Sequence, residues 1–376
     1  MKFIHSSDWQ IGMTRAFLSP EAAARFSQAR IDSIRSLGQL AARHAAQFMV
    51  VAGDVFESNQ LSPQTLMRAL AALNTVPVPV FLLPGNHDPL DATSIFRSAA
   101  FREQAGAHIH VISDARPLPV PGLTNVEVVG APWFSKRPAQ DLCAQALNAL
   151  PPAPGVTRIL VGHGQVDSLA PDASQPGVIN QALLTQALAE GRIQYVALGD
   201  RHSLTRVGGN ERLCYSGAPL ATDFDEVAPN RALLVELDAG ACTLTELETG
   251  SWHFEAVQRD INSREDLTAF AQWLDAIPNK ECTVLKVGFT GSVNLALAAE
   301  LDALLESRAP VFASLKRRAR TTDLAVVPDA LDDNAIGLSG YAHTTWQALL
   351  ARAASDDTAT DALRLMYRLA GGGRGA

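Results

Sequence analysis

Four apolar runs in the first 202 residues end on glycine and then on a residue able to hold a metal ion or move a proton. They are 48–52 before Gly53-Asp54, 78–83 before Pro84-Gly85-Asn86-His87-Asp88, 159–161 before Gly162-His163, and 195–198 before Gly199-Asp200-Arg201-His202. A fifth run, Phe3-Ile4, leads through Ser6-Ser7 to Asp8, with Gln10 two residues on. Apolar runs this short and this continuous read as strands buried on both faces, as in parallel sheets covered by helices. Such sheets deliver polar residues to a site at their carboxyl ends. Between the runs, Ser19-Pro20 predicts a helix start and a helix over 20–46, and Ser62-Pro63 opens a second helix carrying Leu66, Leu70 and Leu73. Further strand-like runs fall at 109–112, 126–129 and 232–237. Strands alternating with helices, with polar residues at the strand ends, give an α/β layered domain.

Beyond residue 260 the pattern restarts. A strand is predicted over 282–289, a helix over 294–307 and a strand over 311–320, followed by two short helices and a glycine-rich end. The expected division is therefore 1–260, 261–335 and 336–376. At 376 residues and 47% hydrophobic, the chain has material for a sizeable core and two or three domains. A net charge of −8 argues against a globally basic nucleic-acid binder and leaves room only for a local basic patch or bound cations. Lys316, Arg318 and Arg320 lie two apart on the predicted strand, hence on one face. They read equally as a solvated face or as a row that tracks phosphates. The four cysteines form no CxxC pair and read as free thiols in a reducing compartment. With no signal peptide and no membrane-spanning run, the expectation is a cytoplasmic protein without membrane contact.

The chemistry sits in the turns. Asn86 offers a hard amide oxygen, Asp8 and Asp54 carboxylates, and His87, His163 and His202 imidazoles with pKa values near neutrality. Taken singly, each has a plain reading as a helix cap, a turn former or a core histidine. Recurring together at strand ends, they supply what phosphate-ester hydrolysis by two metals requires: a bridging carboxylate, terminal ligands, and a group near the leaving oxygen. Asp88 and neighbouring acids are placed to orient the His87 ring. His5, His44, His108, His110, His253 and His343 have no ligand-like setting.

In this order the motifs resemble those of the calcineurin-like metallophosphoesterases. His5-Ser6-Ser7-Asp8-Trp9, Gly53-Asp54-Val55-Phe56, 195–199 and Tyr215-Ser216-Gly217-Ala218-Pro219 are similar to the SbcD-type DNA-repair exonucleases. The resemblance covers about the first two thirds of the chain. It implies a layered β-sheet core flanked by helices, a smaller α/β cap domain that contacts DNA, and a helical C-terminal tail. It assigns Asp8, Gln10 and His202 to one metal, Asn86, His163 and Asp200 to the other, and Asp54 to both. It places His87 at the scissile phosphate with Glu57 steadying it. Gln10 and Asp200 stand where the family usually has histidine. Both keep oxygen ligands, which favours manganese or magnesium over zinc. The implied function is a DNA exonuclease, with endonuclease action also open, working as a homodimer with an SMC-like ATPase. Two rivals remain: a phosphodiesterase acting on a small nucleotide, and a weakly active DNA-end-binding scaffold. Trp346, Leu349, Leu350 and Ala353, then Ala359, Ala362, Leu363 and Met366, form apolar stripes at helical spacing. These stripes either dock on their own domain or grip the ATPase; the resemblance favours the ATPase.

Overall fold

The computed structural model describes residues 1–238, 240–327, 338–353 and 356–370. The chain divides into two units, residues 1–16 with 23–253, and residues 17–22 with 254–376. In the first, strands β1 (Lys2–Ser6), β2 (Phe48–Val51), β3 (Val80–Leu82) and β4 (Ile109–Val111) run parallel in one sheet. A second sheet is built from β5 (Leu118–Pro119), β6 (Val126–Gly130), β7 (Thr157–His163), β8 (Tyr195–Gly199), β9 (Thr205–Arg206) and β10 (Leu213–Tyr215). Strands β11 (Arg231–Asp238) and β12 (Ala241–Glu248) return antiparallel to extend the first sheet beyond β1.

Side-chain alternation explains why these runs are apolar throughout. Phe3, Phe48, Val50 and Phe81 face Val128, Ile159, Val161, Tyr195 and Ala197 across the two sheets. Their neighbours Ile4, Met49, Val51 and Leu82 point the other way, into the core that includes helices α1 (Pro20–Arg43) and α2 (Pro63–Leu73) and Phe101 of α3 (Ala99–Gln104). Val129, Leu160, Val196 and Leu198 do the same toward α4 (Leu142–Ala149) and α5 (Gln181–Ala189). The result is a helix–sheet–sheet–helix sandwich. The Ser62 side chain accepts from Thr65 N, and Pro63 occupies the first turn of α2, as its sequence predicts.

The second unit carries β13 (His253–Asp260), α6 (Arg264–Ala276), β14 (Thr283–Asn294), α7 (Leu295–Arg308), β15 (Ser314–Arg317) and β16 (Asp323–Val327). Here the expected strand over 311–320 is shorter. It ends at Arg317, and Arg320 falls in a 3-10 turn, Ala319–Thr321. The alternation that would set Lys316, Arg318 and Arg320 on one face therefore stops. Lys316 Nζ instead donates to the Phe17 carbonyl at 3.3 Å. Helices α8 (Gly340–Ala353) and α9 (Asp357–Leu369) pack on each other, with α9 against β14 and β16. Trp346, Ala359 and Leu363 are buried within the unit, in keeping with the first of the two dockings expected for the stripes, while Leu349, Leu350, Ala353 and Met366 are partly buried. The expected boundary at 335/336 lies outside the described residues. Among the described residues no helix is long and apolar enough to cross a membrane.

Candidate metal centre

The loops after β1, β2, β7 and β8 converge with the turn after β3. Asp8 N donates to Gly53 O at 3.0 Å, and Gln10 N to Asp54 O at 2.8 Å, so the first two loops run side by side. Close approach explains the recurring glycines. Gly53 has φ +90°, and a Cβ there would collide with the His163 ring. A Cβ at Gly199 would collide with the Ala52 carbonyl. The ligand-type residues themselves are strained: Asp8, Gln10, Asp54 and Asp200 all have positive φ, at 54°, 44°, 53° and 94°. Non-glycine residues adopt this region at a cost, and they do so where surrounding contacts hold them.

Acceptor atoms of Asp8, Asp54 and His163 lie within 4.8 Å of one another, and all three residues are buried. Around them the cluster has two lobes. In one, His163 Nδ1 meets the Ala52 carbonyl at 2.8 Å. A carbonyl only accepts, so Nδ1 carries the proton. Nε2 then faces Asn86 Oδ1 at 2.7 Å, Asp54 Oδ1 at 3.4 Å and Asp200 Oδ1 at 3.8 Å. A bare ring nitrogen against three oxygens repels them unless a cation or a second proton stands between. In the other lobe, His202 Nδ1 donates toward Glu226 Oε1 at 3.1 Å and lies 2.7 Å from Thr222 Oγ1. Its Nε2 faces Asp8 Oδ1 at 3.9 Å and the Gln10 amide at 3.3 Å. Gln10 Oε1 is buried without a hydrogen-bond partner.

The electrostatics carry the same demand for positive charge. Burial pulls the His163 pKa down, but Asp54, Asp8 and Asp200 outweigh it and hold it well above the ordinary value. Burial likewise lowers His202, and Glu226 and Asp8 more than reverse it. Burial pushes the Asp8 carboxyl up to about 6, against the pull of His202 and His163. For Asp54 burial is overcome by His163 and His87, leaving its carboxyl below the usual range. A buried group of carboxylates that must recruit protons onto its own imidazoles is a fit site for divalent cations. The donors fit hard ions: oxygens from Asp8, Gln10, Asp54, Asn86 and Asp200, with nitrogens from His163 and His202.

His87 stands at the rim, its side chain 37% exposed. Its main-chain N–H donates to Asp54 Oδ1 at 3.0 Å, and its Nε2 lies 3.9 Å from Asp54 Oδ2. Two expectations need correction here. The ring is steadied by the Glu57 backbone carbonyl, 3.1 Å from Nδ1, while the Glu57 carboxylate lies farther off at 3.8 Å. Asp88 does not orient the ring. It is buried, and its carboxylate accepts from Gly85 N at 2.7 Å and Phe56 N at 2.9 Å, clamping two loops together. Burial, then Asp54, pushes its pKa up to about 7.

Lys316, Arg318 and Arg320 belong to the second unit, and the cluster to the first. The sequence reading missed Thr222 and Glu226, which orient His202, and Trp133, whose Nε1 donates to the His163 carbonyl at 2.8 Å. It also missed Ser7, whose hydroxyl donates to Asp8 at 2.6 Å. Only Ser7 lay within a recognised motif; the others had no local signal.

Residues 1–204 match the family model described as calcineurin-like phosphoesterase. The chain is 26% identical over 266 residues to the SbcD component of nuclease SbcCD from Escherichia coli K12, covering 61% of this chain and 63% of that relative. The same component of the Rhodobacter capsulatus nuclease is 25% identical over 287 residues, covering 64% of this chain and 67% of the relative. The DNA double-strand break repair protein Mre11 of Archaeoglobus fulgidus is 33% identical over 91 residues, or 23% of this chain and 19% of that protein. The match thus spans less than two thirds of the length of the E. coli relative.

Proposed function

The chain belongs to the calcineurin-like phosphoesterase family, and on that premise we propose that it is a two-metal DNA nuclease. The observation that carries the metal part is His163 Nε2 facing three oxygens with its other nitrogen already protonated. Asp8, Gln10 and His202 would hold one ion and Asn86, His163 and Asp200 the other, with the Asp54 carboxylate available to both. The oxygen-rich set favours manganese, with magnesium as the alternative. Bound there, divalent ions supply the charge that stabilises a phosphoryl transition state and acidifies water.

The chain's own groups do the positioning. Ser7 and the Asp200 N–H, the latter 3.1 Å from Asp8 Oδ1, fix the Asp8 carboxylate. The His87 N–H fixes Asp54. The Glu57 carbonyl holds the His87 Nδ1 proton, so the ring turns Nε2 toward the cleft, where its protonated form donates to the leaving oxygen. Similarity to the SbcD component of nuclease SbcCD and to Mre11 supports DNA as the substrate. It also motivates a homodimer and an SMC-like ATPase partner. Residues 261–335 are the proposed DNA-contacting cap. Lys316, Arg318 and Arg320 are the candidates for that role; the Lys316 ammonium, with one N–H on the Phe17 carbonyl, keeps its charge and two further donors.

The test is purified protein with manganese on labelled single- and double-stranded DNA, beside a small chromogenic phosphodiester. Cleavage of DNA that chelation stops supports the reading. Hydrolysis of the small diester with DNA left intact would replace it with the small-nucleotide phosphodiesterase.

A further inference from the structure

Arg30 is a fully buried cation. It lies on α1, and its guanidinium stands over the Phe26 ring, 4.7 Å from the centroid. Among the described residues it forms no ion pair. Nη1 donates to the Trp9 carbonyl at 2.9 Å, Nη2 donates to Met13 Sδ at 3.1 Å, and Nε is buried without a partner. Burial, then the charge of Arg15, pulls its pKa down to about 9, against the opposing pull of Glu226 and Glu57. A charge placed in this way costs desolvation that an apolar side chain of similar volume avoids. What sets the guanidinium apart from such a side chain is its two bonds, and both go to one loop.

That loop runs from Asp8 to Met13. The Trp9 carbonyl belongs to the peptide unit that joins Trp9 to Gln10. At the other end of the unit, Gln10 N donates to Asp54 O at 2.8 Å. The plane is therefore held on both sides, by Arg30 and by the loop after β2. A planar unit fixed at both ends sets the backbone angles beside it. Gln10 has φ +44°, a left-handed conformation that a glutamine adopts only where its surroundings impose it. The loop is gripped again at Met13, whose N–H donates to Gln10 O at 3.0 Å and whose sulfur accepts from Arg30. One guanidinium thus brackets Gln10 from both directions along the chain. Gln10 Oε1 is the buried acceptor left without a partner in the His202 lobe.

We propose that Arg30 is the positioning residue of the His202 lobe: it locks the Trp9–Gln10 peptide so that the Gln10 amide oxygen is presented to an ion beside Asp8 and His202. Arg30 touches neither ion nor substrate and acts through the main chain of the loop. The inference rests on the two-metal reading for the ion, but the state of the loop is measured without one.

Hydrogen exchange of the full chain, with metal withheld, compares the bonded amides of Gln10, Ile11 and Met13 with those of β7 and β8. Arg30→Met fills the space and removes both bonds. It speeds exchange at the three loop amides by about tenfold or more and leaves β7 and β8 as they were, because the opening is local. Arg30→Lys is intermediate, since one ammonium replaces a fork that reaches both Trp9 and Met13, and it decides the matter where the methionine variant does not fold. Calorimetric titration with manganese then reads the ion. Arg30→Met weakens the weaker binding event by about tenfold, the scale of losing a group that orients a ligand, and leaves the tighter event unchanged. Adding Gln10→Ala to Arg30→Met costs less affinity than the two single losses together, because both act on one oxygen. Loop exchange that stays slow, or that rises equally through β7 and β8, overturns the assignment and leaves Arg30 a packing residue. Weakening of the tighter event overturns it as well. A wild-type chain that takes up no second ion sinks the two-metal reading instead, and the exchange result still decides whether Arg30 holds the loop.

Discussion

The two lobes of the metal centre are held by different kinds of contact. His163 is buried, and the proton on its Nδ1 goes to a main-chain carbonyl, Ala52 O. His202 has a side chain 25% exposed and relies on two side chains, Thr222 and Glu226. A backbone carbonyl on a buried strand end cannot rotate away or change charge; a glutamate and a threonine can. The partners differ too. His163 is joined by Asn86, Asp54 and Asp200, whereas His202 has Asp8 and the neutral amide of Gln10. The fold therefore fixes the first lobe, and side chains assemble the second. If both lobes hold ions as proposed, affinity should follow this order: tighter binding in the His163 lobe and faster exchange in the His202 lobe.

The largest test removes the stronger lobe. His163→Ala should lower turnover by about 10⁴-fold or more, the several kcal/mol that an ion's charge contributes. Calorimetric titration with manganese should then show only one weak site. Two retained sites would break the comparison. His87→Ala should cost about 10²–10⁴-fold in turnover, the span of general acid–base groups, with both ions still bound. Loss of an ion in that variant would make His87 a ligand rather than a proton donor.

Gln10 probes the weaker lobe. Gln10→Ala should weaken only the second binding event, by about 10–100-fold, comparable to losing a tuning group at a metal site. Gln10→His should tighten it. If the tighter site responds instead, the ranking of the lobes is inverted.

The same contrast marks how far the sequence was legible. The strand–glycine–ligand pattern was readable because close packing of loops leaves no room for a Cβ at Gly53 or Gly199, and that restriction acts on the local letters. The four ligand-type residues at positive φ were not readable, since Asp8, Gln10, Asp54 and Asp200 carry no mark of their backbone strain. Nor was Glu226, which meets His202 from 24 positions along the chain. Glu57 was found for the wrong atom, because sequence reports side chains and the contact is made by a carbonyl. In the second unit, local pattern gave α7 over 294–307; its Asn294 cap, which accepts from Leu297 N, was not read. Amphipathic β12 and β13 went unread; their exposed alternate residues break the apolar run that marked the buried strands.

His5 links pH to the stability of the first unit. It accepts from Tyr195 Oη at Nδ1, 3.0 Å away, and donates from Nε2 to Leu198 O at 3.2 Å. It therefore ties β1, which leads to Asp8 and Gln10, to β8, which leads to Asp200 and His202. Burial lowers its pKa to about 3 from an ordinary 6.5. Above pH 6.5 both folded and unfolded chains are neutral there, and the contribution is whole. Between 6.5 and 3 the unfolded chain takes up the proton and the folded one does not, so stability should fall as pH drops through that window. His5→Gln should melt below wild type at about pH 8, with the gap narrowing toward about pH 4. A constant gap would remove His5 from the acid response.

The smallest expected effect concerns Glu57, and it separates backbone support from side-chain support most sharply. If the carboxylate steadied His87, Glu57→Gln would cost much of what His87→Ala costs. The carbonyl at 3.1 Å does that work, and the carboxylate at 3.8 Å is too far to hydrogen-bond. Glu57→Gln should therefore leave turnover within about threefold of wild type, since a donor held by main chain keeps its orientation when the side chain changes. Its pH–rate profile should keep its shape. A tenfold loss, or a profile displaced toward acid, would return the steadying role to the carboxylate. The rim histidine would then depend on side chains, as His202 does, and His163 alone would be held by the fold.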